Sequence, residues 1–243
     1  MDRFLTALQG LTGNPALWLF LTLVFFILGT KVFELARRNL ILSPIVIAIA
    51  SLIIVLKVTG VSYETYFEGA GLIHFLLGPA TVALAVPLFE QRRKLATLWL
   101  PLAVGLTAGC AAAVTSVVLV GGALGLSHET LMSMVPKSVT TPIAMGISEA
   151  IGGMPDLTAC LVVVTGIFGS IVGRPLFTRL RITDEPVRGA ALGLAAHGMG
   201  TSTAFMIGNR AGAFAGLAMG ISGIITSILA PLLAPPLVAF FGW

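Results

Sequence analysis

Apolar positions in this chain run on for about twenty residues at a time, the length an α-helix needs to cross a bilayer core, and polar positions are confined to short stretches between the runs. Six spans are expected: 16–36, 44–59, 72–89, 95–124, 157–178 and 212–241. Pro44 opens the second, where a missing backbone N–H costs little. Gly78-Pro79 and Pro87 interrupt the third, as a kink or an unwound stretch. Residues 61–71 are too polar to span; Tyr63, Tyr66 and Phe67 suit the membrane interface.

Basic residues set the orientation, because positively charged loops stay cytoplasmic. Arg37-Arg38, Arg92-Arg93-Lys94 and Arg179/Arg181/Arg188 all fall on that side if the first four spans alternate from an external N-terminus. Two segments then remain, 131–153 and 188–208. If 131–153 crossed fully, Arg179 and Arg181 would lie outside, so it is expected to enter from outside and return. By the same count 188–208 is re-entrant from inside.

Both segments are broken in sequence. The first reads VPKSVTTPIAMGISEAIGG and the second LAAHGMGTSTAFMIGNR. Gly and Pro interruptions in two corresponding segments point to a transporter site near the bilayer midplane. A shift of 61 residues superposes them, carrying Thr140 onto Thr201, Thr141 onto Ser202, Met145 onto Met206 and Glu149 onto Arg210, with Gly105 falling on Gly166 upstream. Identities over the shifted stretch are few, so the inverted repeat rests on pattern and topology.

Non-helical backbone at membrane depth must be buried in protein or line a wet cavity. Thr141-Pro142 has the form of a helix start, Thr141 as N-cap and Pro142 at the first helical position, and Thr201 or Ser202 is a candidate cap for a second half-helix. Two half-helix N-termini, with exposed N–H groups and partial positive charge, would then meet beside Lys137. Such a pocket suits a small anion, with Lys137 supplying charge and Ser138, Thr140, Thr141, Thr201 and Ser202 supplying hydroxyls. His197 is the candidate for proton coupling, since histidine changes charge near neutral pH. Glu149, Arg210 and His74 are secondary candidates. Each has a plainer reading. Lys137 snorkels or pairs with Glu149, the hydroxyls bond helix carbonyls, and His197 is a satisfied core histidine. Glu149 and Asp156 mark a hairpin's outer end, and His74 lies at the interface.

Composition narrows the classes further. The chain has 243 residues, 57% of them apolar and 10% charged, with a mean hydropathy of +1.03, too little charge to cover a soluble domain. The polar N-terminal stretch ending at Asn14-Pro15 lacks the order of a cleavable signal, and Cys110 and Cys160 sit in apolar runs, where no disulfide framework is expected. The net charge of +4 is spread over separate loops without aromatic interleaving, so nucleic acid is not an expected partner. Enzymatic chemistry is not expected. Lys137 and Ser138 are adjacent and do not face each other, the three histidines lack metal-ligand spacing, and no phosphate loop occurs. No cofactor or metal is expected. The fold class is all-α and polytopic in a cell membrane, as a single membrane domain over 1–243 and a homo-oligomer, a dimer first.

HFLLGPATVALAVPLFEQ (74–91), VPKSVTTPIAMGISEAIGG (135–153), AAHGMGTSTA (195–204) and GIITSILAP (223–231) resemble the LrgB/CidB family of antiholin-like autolysis modulators. The resemblance covers roughly residues 15–240. It implies one of two activities. One is holin/antiholin-like control of murein hydrolase export and lysis, with a small LrgA/CidA-type membrane partner. The other is transport of small monocarboxylates of the pyruvate, glycolate and glycerate kind, as in the similar C-terminal half of the plastidic glycolate/glycerate translocator. The residue-level reading favours transport, with the family's regulatory role as the alternative. One departure stands out: the family's second motif carries an Arg where this chain has Thr203, which removes a two-bonded grip on a carboxylate.

Overall fold

The computed structural model describes residues 14–37, 39–76, 79, 82, 89 and 92–240, and the regular elements among them are all helical. They form two compact units, 1–80 and 81–243.

The first unit holds α1 (Pro15–Leu35), a 3-10 turn (Leu40–Leu42), α2 (Pro44–Thr59) and α3 (Tyr63–Phe75). Asn14 caps α1 by accepting from the Ala16 N–H, with Pro15 at the first position. The aromatic residues of 61–71 do not lie loose. Ser62 caps α3, and Gly69 brings that helix against Pro15 and Trp18 of α1. Trp18 is fully buried there, edge-on to Tyr66 at 5.9 Å, and the Tyr66 hydroxyl lies 3.3 Å from Thr22 Oγ1. His74 is exposed at the end of α3 and meets Phe67 edge-on. Much of the expected third span, with Gly78 and Pro87, lies outside the described residues.

The second unit holds α4 (Arg92–Ala123), α5 (His128–Met134), α6 (Thr141–Ala150), α7 (Pro155–Arg179), α8 (Glu185–Phe205) and α9 (Asn209–Ala239). Among the described helices, α1, Trp99–Ala123 of α4, α7 and α9 are long and apolar enough to cross a membrane. At 16 residues, apolar α2 is shorter.

Both expected re-entrant segments are hairpins. In the first, the C-terminal end of α5 lies against the residues that follow α6. Gly153 packs on Ser133 and Met132, so closely that a methyl there would lie 2.7 Å from the Ser133 nitrogen. Val135–Thr140 forms the tip. In the second, α8 breaks at Ala196 (φ −137°, ψ 22°) and His197 (φ 41°, ψ −128°) and folds back on itself. Gly200 lies against the Leu192 carbonyl, although eight residues of straight helix would separate them by about 12 Å. The shift of 61 carries Val135, where the first tip begins, onto Ala196, where the second begins.

The hairpins open at opposite ends of α7. The first opens beside its N-terminus, where Met154 N–H donates to Ser133 Oγ. The second opens near its C-terminus, where Arg174 donates to the Met206 carbonyl. The unit is therefore two consecutive span-plus-hairpin repeats of opposite sense, α4 with α5–α6 and α7 with α8, closed by α9.

Candidate functional site: two opposed hairpin tips

Helices α7 and α9 bring the tips to one level. On α7, Thr158 bonds Ser133 and Ser148 toward the first hairpin's open end, and one turn further the Val162 carbonyl, level with the inner part of that hairpin, accepts from His197 Nε2 at 3.0 Å. On α9, Thr201 approaches Gly216 and Met219, while Ile143 of α6 lies against Gly223. Residues 216, 219 and 223 share a face at i, i+3 and i+7, so the two half-helices abut the same stretch of α9 from opposite ends.

The tips differ in what they offer. Lys137 and Ser138 are half-buried in the first, and among the described residues no carboxylate pairs with the Lys137 ammonium. Thr140, not Thr141, is the N-cap residue of α6, with Pro142 in the first turn. Its hydroxyl makes no capping bond and is buried without a partner among the described residues. A buried, unpartnered hydroxyl is uncommon and has a hydrogen to donate. Ser138 and Thr141 likewise show no side-chain hydrogen bond among the described residues.

The second tip corrects the expected cap. Its returning half-helix starts directly after the His197 break, so Thr201 and Ser202 lie inside it. Thr201 donates its hydroxyl to the His197 carbonyl at 2.9 Å, and Thr203, fully buried, donates to Met199 at 3.0 Å. These are ordinary helix back-bonds, which leave neither hydroxyl a hydrogen for an anion. Ser202 is exposed. His197 is buried, and because a carbonyl only accepts, its Nε2 carries the hydrogen. Its ring lies on the bare face of Gly166: a methyl there would sit 2.8 Å from Cε1.

The secondary candidates lie elsewhere. Glu149 is exposed near the first hairpin's open end, and Arg210 is exposed beside the second's. Asp156 is exposed at the start of α7. His74 belongs to the first unit. A separate cavity of about 490 Å³, lined by Pro101, Gly105 and Gly109 of α4, Ala190 and Leu194 of α8 and Phe214 of α9, is apolar and holds none of the candidate residues. Sequence reasoning missed Ser133, Ser148 and Thr158, which join the first hairpin to α7. Their signal was three small polar residues in otherwise apolar surroundings.

Spans combined with two opposed re-entrant hairpins define a polytopic membrane protein with irregular backbone enclosed by its own helices. The chain belongs to the LrgB-like family, which it matches over residues 22–235. It is similar to the "Uncharacterized protein YwbG" of Bacillus subtilis (strain 168), 38% identical over 201 residues that cover 83% of this chain and 89% of that one. It is also similar to the "Antiholin-like protein LrgB" of Bacillus mycoides (strain KBAB4), 31% identical over 208 residues covering 86% and 90%. The Bacillus cereus (strain B4264) protein of the same name gives the same identity and coverage. No solved structure matches.

Proposed function

We propose that this chain acts as an antiholin-like membrane protein, the reading its relatives' name supports directly, and that the molecular activity behind that role is gated passage of a small monocarboxylate between the hairpin tips. The observation that carries the second part is the first tip: a half-buried lysine beside a buried hydroxyl, the one without a carboxylate partner and the other without an acceptor among the described residues. An intramembrane ammonium is costly and marks a functional site by default. Lys137 balances the anion's charge, and Thr140, with Ser138, Thr141 and the first N–H groups of α6, donates to it. The second tip closes over the anion through backbone rather than hydroxyls. His197, the one titratable residue between Arg188 and Arg210, is the residue to examine for proton coupling.

A second reading keeps the antiholin-like role and assigns it to assembly, with a small LrgA-type partner or further copies of the chain. The relatives' name favours it. Purified protein in sealed vesicles separates the two. Saturable uptake of labelled pyruvate, glycolate or glycerate, without leak of larger dyes, supports passage through a site. Unsaturable leak graded by solute size supports assembly.

A further inference from the structure

The two hairpins are fastened to the rest of the unit in different ways. The first is tied by a buried hydroxyl network. Ser133 Oγ donates to the Glu129 carbonyl and accepts from Met154 N–H, both at 2.7 Å. Thr158 Oγ1 lies 2.7 Å from Ser148 Oγ and 3.0 Å from the Ser133 carbonyl. Ser133, Ser148 and Thr158 are completely buried, so each bond is shielded from competing water. Beneath them Leu131, Met132, Val135, Val139, Ala144 and Ile147 enter one apolar cluster with Val162.

Among the described residues the second hairpin has no such network. Near its tip, the strong side-chain bond to another element is that of His197 to Val162; the Thr201 contact with Met219 sulfur, at 3.8 Å, is weak. Arg174 reaches the Met206 carbonyl only at the open end, at 3.4 Å. Elsewhere apolar packing holds it: Leu192 enters a cluster with Phe177, Ala204, Ala211 and Ala215, Phe205 lies on Gly212 and Leu194 on Gly109, and between these contacts the helix faces are smooth. Gly189 and Gly193 lie on the backbone of Ala211 and Ala215, and Gly169 faces Ala196. Small-residue surfaces pack closely but do not interlock as branched side chains do. The turn itself is held in a strained shape, since φ of +41° at His197 is one that side-chain-bearing residues rarely adopt.

We infer that the second hairpin is the moving gate of the site and the first its fixed wall, with the His197–Val162 hydrogen bond as the latch that holds the gate closed. Breaking that bond frees the ring from Gly166, lets the turn relax and leaves the tip held mainly by apolar packing. The gate then opens toward its own open end, the side of Arg174, Arg179 and Arg181. The inference rests on reading the tips as a site, but its test measures mobility and not flux, so the two can fail separately.

The test is hydrogen exchange, read by mass spectrometry, on the full chain in lipid nanodiscs. In the unaltered protein, amides of 196–205 should exchange about tenfold or more faster than those of 141–150, because local opening follows the weaker fastening. Gly166→Ala, which displaces the imidazole, should raise exchange at 196–205 by a further fivefold or so and leave 141–150 unchanged. If that variant does not fold, His197→Ala removes the same bond without crowding. Thr158→Val should do the reverse, loosening 141–150 alone. Equal protection of the two hairpins in the unaltered protein, or parallel loosening of both by Gly166→Ala, would overturn the gate assignment. If the exchange pattern holds while vesicles take up no carboxylate, the gate stands and its cargo is something else.

Discussion

Glu185 and Gly208 stand at opposite ends of the α8 segment in sequence and side by side in space: a methyl on Gly208 would lie 2.8 Å from the Glu185 carboxylate. A straight helix over 185–205 would be about 30 Å long. The chain therefore enters and leaves at one end of α7, and this has a direct topological consequence. Cysteines introduced at Leu180 and Ile207 should react with an impermeant thiol reagent from the same side of the membrane, and one at Met154 from the other. By the rule that basic loops stay cytoplasmic, the side expected for Leu180 is the inside. Reaction of Leu180→Cys and Ile207→Cys from opposite sides would mean that 185–205 crosses.

The fold-back also separates two glycines only two residues apart. At Gly200 an added methyl collides with the Leu192 carbonyl, whereas at Gly198 nothing lies within 4 Å. Gly200→Ala should lower stability by roughly 1–3 kcal/mol, the usual range for forced overpacking. Gly198→Ala should be close to neutral or slightly stabilising, since alanine is the better helix former. Thermal unfolding in detergent measures both, and similar midpoints for the two variants would count against the hairpin.

Much of this architecture is legible in the sequence, for identifiable reasons. Apolar runs place α1, α2, α4, α7 and α9 to within a few residues, because lipid demands continuous apolar length. The alternation of Arg and Lys loops forces 131–153 and 188–208 to turn back, and both do. The details of the tips escape the sequence. Thr201 resembles Thr140 in the shifted comparison, yet one hydroxyl is bonded within its helix and the other is not. That difference arises because the second turn breaks at a histidine with positive φ, a position usually signalled by Gly or Asn. The Ser133–Ser148–Thr158 network joins residues distant in sequence, which no local pattern brings together.

His197 gives a further discrimination. If it carries the transported proton, His197→Gln should flatten the dependence of uptake on external pH. If it acts as the latch, glutamine can still donate to the Val162 carbonyl. Uptake should then keep its pH profile, with rates within about threefold of the native protein, a loss under 1 kcal/mol. Initial rates from about pH 5 to 8, the range in which histidine titrates, decide between them.

The central claim is that Lys137, at the tip of the first hairpin, holds an anion in transit, and one comparison tests it most directly. Uptake of labelled pyruvate, glycolate and glycerate is measured in sealed proteoliposomes containing the native protein or Lys137→Ala, each shown to be inserted and folded. The native protein should give saturable uptake of at least one of the three, and Lys137→Ala should lower it by about a hundredfold, the effect of losing one buried charge-assisted contact worth about 3 kcal/mol. Lys137→Arg should recover only part, since a planar fork does not replace a compact ammonium. Equal, saturable uptake by the native and Lys137→Ala proteins would contradict the claim.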